Sequence, residues 1–311
     1  MSFKLISHLL PQNDTEIDEF ITNSPMKKQI NEILLNHELC EKNPNLFTTV
    51  IEILYQIIAQ PLYIPLTISA GIFKNLSSLI HKIVPNSSNS LITLSRILNR
   101  LTSHEQGQIF IKASKIYQPI LSCLVDYKYL PILSKRTLTE LGLNFEFVVQ
   151  YLPEILEPMI NMIIEMIKYI YQGIYSNTIR EQNKEKPKEE VDSIVETYIG
   201  GYIENISQFL ERFLVSYNHT NMFIQKRGLV FFLNILLSDE VPTNFFLSTG
   251  TEFFNRLFQN IGSQKISEVS QVLVNQTLEQ LKKLNIDSEF LLKTDSKNQL
   301  SRFTSLVQLL F

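Results

Sequence analysis

At 311 residues the chain is long enough for one large domain or for an extended repeat array. Hydrophobic residues at 44% against 19% charged exclude the polar composition of a disordered chain. The net charge of -3 lacks the concentrated Lys and Arg excess of general nucleic-acid binding, so no nucleic-acid partner is predicted.

Residues 1–10 carry one Lys and one His in a short apolar run without a small-residue cleavage site, which predicts no signal peptide. The two cysteines, Cys40 and Cys123, are too few for a disulfide framework. They read as small hydrophobes inside helices of a reduced intracellular protein, in the cytoplasm or nucleus. Residues 53–73 contain no charge, but Pro61 and Pro65 break them into pieces too short to span a bilayer. Buried helices are therefore expected, and no membrane partner.

Helical periodicity dominates the rest. Ser87, Ser88, Asn89 and Ser90 offer N-caps for the helix that follows. Ile155, Met159, Met162, Ile163, Met166 and Ile170 recur at threes and fours and form one apolar stripe, so residues 155–175 read as a buried amphipathic helix. Residues 181–190 mix both charges with a proline and lack any apolar residue. They are expected to loop out as a charged linker. Stripes continue at Ile199, Ile203, Ile206, Phe209, Leu210 and Phe213, and again at Val269, Val272, Leu273, Leu278 and Leu281. No strand-type alternation is sustained, and Pro11, Pro44, Pro85, Pro131, Pro153 and Pro242 punctuate the helices.

An internal repeat is visible. Leu94-x-x-Ile97-Leu98-x-Arg100-Leu101 is echoed by Ile206-x-x-Phe209-Leu210-x-Arg212-Phe213. Ser103-His104 then corresponds to residues 216–219, Ile109-Phe110-Ile111 to Met222-Phe223-Ile224, and Ile116 and Ile120 to Leu229 and Leu233. The copies lie about 113 residues apart, with a one-residue gap. A weaker third version sets Gly71-Ile72 against Gly228-Leu229. Each unit reads as a long helix, a tight corner, a short helix and a helix begun at or near a glycine. One such unit cannot bury its apolar stripe alone, so stacking is required. The expected fold is all-α, an armadillo/HEAT-like helical repeat solenoid forming a single domain over residues 1–311. A helix bundle without repeats is the alternative.

The second copy runs Phe209-Leu210-Glu211-Arg212-Phe213-Leu214, Asn218-His219-Thr220, Phe223-Ile224, Gly228-Leu229, Leu233, Leu236-Leu237, Val241-Pro242 and Phe245-Phe246. This order resembles the N-terminal helical region of the giant HECT-type ubiquitin ligases. Ala70-Gly71-Ile72-Phe73 with the helices after it, and Leu138-Thr139-Glu140-Leu141-Gly142 through Val148, Tyr151, Pro153 and Ile160, are similar to two further segments of that region in the same order. Together they cover about residues 43–258. The sequence departs where the family pattern has a double glycine, here Arg227-Gly228, and where a basic Arg-His pair is replaced by Val149-Gln150-Tyr151-Leu152. The resemblance implies a scaffold that recruits substrates or ligase components in protein ubiquitination. A generic armadillo-like adaptor unrelated to ubiquitin is the alternative.

The family's ubiquitin transfer implies a C-terminal HECT domain with a thioester-forming cysteine. Cys40 sits among acidic residues near the N-terminus, and Cys123 sits in an apolar segment, so neither has the electropositive setting of a reactive thiolate. Among His8, His37, His81, His104 and His219, only His37 has a Cys at helical i, i+3 spacing, and no second pair completes a metal site. His104 and His219 occupy related corners and read as backbone caps. Phosphate-loop and nucleophile-elbow motifs are absent. Lys27-Lys28 is a small basic spot, while Lys184, Lys186 and Lys188 alternate with Glu and largely cancel. The expected chain is non-catalytic, without catalytic, cofactor or metal residues, and its partners are proteins, with no small molecule.

Overall fold

The computed structural model describes residues 25–83, 88–125 and 133–236, with Asn275. Among these residues there is no strand, and fourteen α-helices follow one another through short corners. The first eight are α1 (Pro25–Leu35), α2 (His37–Lys42), α3 (Pro44–Ile57), α4 (Tyr63–Ser69), α5 (Ile72–Ile83), α6 (Ser88–Leu101), α7 (Glu105–Ser114) and α8 (Tyr117–Val125). Then come α9 (Lys135–Tyr151), a 3-10 turn (Pro153–Ile155), α10 (Leu156–Tyr171), α11 (Ile174–Gln182), α12 (Lys188–Phe213), α13 (Tyr217–Gln225) and α14 (Gly228–Leu236).

The all-α repeat architecture is therefore as the sequence predicts. The chain separates into two compact units. One comprises Met1–Tyr129 with Leu143–Ile155, and the other Leu130–Gly142 with Leu156–Phe311.

In the first unit the repeat is a three-helix module. Helix α3 packs on α6, α4 on α7, and α5 on α8, so the triplet α3–α5 stacks on the triplet α6–α8 element by element. The stripes that meet are fully apolar at their centres: Phe47, Ile51 and Leu54 of α3, Leu94, Ile97, Leu98 and Leu101 of α6. Burying one such side chain contributes about 1.5–3 kcal/mol. Polar pins set the stacking register. Thr48 and Ser90 share a hydrogen bond of 2.9 Å, and Arg100 donates to the Ala59 carbonyl at 3.2 Å while its guanidinium lies over the Tyr55 ring. Asn144 donates to Ser95 at 3.1 Å and accepts from Asn99 at 3.1 Å. Ser90 is thus no cap: it lies within α6, fully buried, and ties that helix to α3.

Prolines fall where the fold tolerates their missing N–H. Pro44 begins α3, and Pro153 opens the 3-10 turn. Pro11, Pro85, Pro131 and Pro242 lie outside the described residues, as do Ser87 and the stripe from Val269 to Leu281. Residues 53–73 are divided among the end of α3, a turn at Pro61, α4 and the start of α5. Among the described residues no helix is long and apolar enough to cross a membrane.

In the second unit α10 packs on α13 and α14, and α11 on α12. The predicted stripe of α12 is buried throughout, from Ile199 to Phe213. Gly142 lets α9 touch α12: a Cβ there would lie 2.7 Å from both the Phe209 carbonyl oxygen and the Arg212 Cβ. The charged segment 181–190 is solvent-facing but loops out less than expected. Only residues 183–187 leave the helices, and Lys188, Glu189 and Glu190 form the first turn of α12. Acidic side chains at that end favour the helix dipole, and Lys186 pairs with Glu190 at 2.6 Å.

Equivalent caps, corner hydrogen bonds and left-handed residues of the two copies recur at a constant spacing of 112 residues, with no gap. His104 caps α7 by accepting from Gln106 N, and Ser216, its equivalent, caps α13 by accepting from His219 N. Gln108 donates to the Thr102 carbonyl at 2.8 Å; Thr220 donates to the Leu214 carbonyl at 2.7 Å. Both histidines cap backbone, as predicted, yet they are not equivalent. His219 corresponds to Gly107, and its Nδ1 donates to the Phe213 carbonyl at 2.9 Å, whereas Nδ1 of His104 accepts. The last helix of each triplet begins just after a left-handed residue: Gly71 before α5 (φ 75°), Lys115 before α8 (φ 52°) and Arg227 before α14 (φ 65°).

Candidate protein-interaction surface

Helix α9 carries apolar residues on two faces. Leu138, Leu141, Phe145 and Val148 are buried. On the opposite face Leu143, Phe147 and Tyr151 are 46%, 39% and 49% exposed. Steps of four place them one turn apart in a single row. The Phe147 and Tyr151 rings lie 5.2 Å apart, so the row presents a preformed aromatic surface.

Helix α9 carries charges of both signs: Arg136 is exposed and Glu146 half-buried. Glu146 accepts from the neutral Gln150 amide at 2.6 Å. Helix α9 has no basic residue in its last turn, and the Leu152 N–H that follows donates to the Val148 carbonyl at 3.0 Å. Glu154, in the following turn, pairs with Lys112 of α7. The Lys112 ammonium holds the Glu154 carboxyl below the usual carboxylate range. Ile109, three residues before Lys112 on the same face of α7, is also exposed. The ion pair joins α7 to the turn that follows α9.

The second unit shows smaller exposed sets. Val215 and Tyr217 flank the Ser216 cap, and Tyr169, Ile174 and Tyr198 are partly open. Tyr169 contacts Tyr175 edge-on at 6.0 Å, and Tyr175 contacts the buried Tyr202 at 5.2 Å.

The residues singled out in the sequence do not converge on one site. Cys40 is buried, its thiol donates to the Ile33 carbonyl at 3.2 Å, and burial pushes its pKa up. A thiol so placed is a poor nucleophile. Cys123 is buried in α8 and donates to the Pro119 carbonyl at 3.4 Å. His37 is the first residue of α2, His81 lies in α5, and His8 is outside the described residues. Lys28 sits 3.9 Å from Glu32 on the exposed face of α1. Among the described residues no group of three or more His, Cys, Asp or Glu could hold a metal ion.

The α9 row escaped sequence reading. Its spacing of four was available, but so was that of the buried face, and periodicity alone does not say which face is covered.

A search of curated proteins finds no match to this chain. The family model described as Domain of Unknown Function (DUF913) matches residues 1–178, which include the stacked triplets α3–α8 and all of α9 with its exposed row. That match covers more than half of the chain, and the chain belongs to this family.

Proposed function

We propose that this chain is a non-catalytic protein-interaction scaffold, of the kind found in the substrate-recruiting N-terminal region of giant HECT-type ubiquitin ligases. It acts in protein ubiquitination by holding a protein near a ligase domain, as a part of such a ligase or as a paralogue. Membership of the DUF913 family carries this reading, because that domain family is known from HECT ligase N-terminal regions. The ordered sequence resemblance over about residues 43–258 supports it and extends past the family match. The stacked three-helix modules supply a mechanism, since repeat arrays capture partners over extended surface instead of in a pocket.

Affinity purification of the tagged chain from its own cells, followed by mass spectrometry, tests the reading. Recovery of a HECT ligase or of ubiquitin-conjugated proteins, enriched over an unrelated helical-repeat control, supports it. A partner set free of ubiquitin-pathway proteins replaces it with an armadillo-like adaptor unrelated to ubiquitin.

A further inference from the structure

We draw no further inference here: the strongest candidate, the exposed row of Leu143, Phe147 and Tyr151 on α9, is an unpartnered apolar face, and nothing in the structure shows what covers it.

Discussion

Lys115 and Arg227 hold the same left-handed backbone conformation at equivalent points of two repeats, with φ of 52° and 65°. Gly71 takes that role in the triplet before. The left-handed region costs a residue with a Cβ about 1–2 kcal/mol, partly offset by the extra freedom that glycine has in the unfolded chain. Lys115→Gly and Arg227→Gly are each expected to stabilise the fold by about 0.5–1 kcal/mol. Urea unfolding midpoints of the single variants, compared with wild type, measure this. The position of Arg227 is also where the HECT-type pattern has the first of two glycines, and the backbone supplies the reason.

The hydroxyl of Thr220 is buried, and so is the corner it closes onto Leu214. Thr220→Val keeps the shape and strands the Leu214 carbonyl, with an expected loss of about 1–3 kcal/mol. Thr220→Ser keeps the bond and should lose less. Thermal unfolding of the pair separates the hydrogen bond from the packing.

Gly142→Ala puts a methyl group where the Phe209 carbonyl and Arg212 Cβ already stand. Backbone atoms cannot give way as a side chain can. The expected loss is about 1–3 kcal/mol, and hydrogen exchange in α12 should rise together with it.

Glu154 titrates below its ordinary range because Lys112 holds its charged form. With the folded pKa below the unfolded one, the stabilisation is present above the unfolded Glu value and is lost as pH falls through the folded value. Stability of the wild-type chain should therefore drop further in acid than that of Glu154→Gln. The two curves should converge at the acid end, and unfolding midpoints across a pH series between about 3 and 7 check it.

Ser176 is fully buried in α11, and its hydroxyl has no hydrogen-bond partner among the described residues. Ser176→Ala removes a desolvated polar atom and is expected to leave stability unchanged or raise it by up to about 1 kcal/mol. A clear loss in calorimetry would mean that the hydroxyl has a partner in solution.

Helix identity was legible because Ile199 through Phe213, and Met159 through Ile170, repeat at the helical period, and tertiary packing covers those same faces. The repeat was legible for the same reason, but its register was not. Two histidines drew the alignment together, whereas the equivalence that matters is between His104 and Ser216, two different residues doing one capping task. Left-handed Lys115 left no trace because lysine carries no signature of positive φ. The charged run at 181–190 read as a longer loop because its polarity hid good helix formers at Lys188, Glu189 and Glu190.

The stacking of α3–α5 on α6–α8 has a consequence for how the chain tolerates change. Gly71 and Lys115 begin equivalent helices 44 positions apart, so the span between touching elements is set by module length and not by chain length. Short spans favour rapid folding and let one module fray without the other. Deleting or duplicating a whole module keeps every surviving helix facing the kind of neighbour it already has. Cutting through the middle of one leaves an oily flank with nothing to meet.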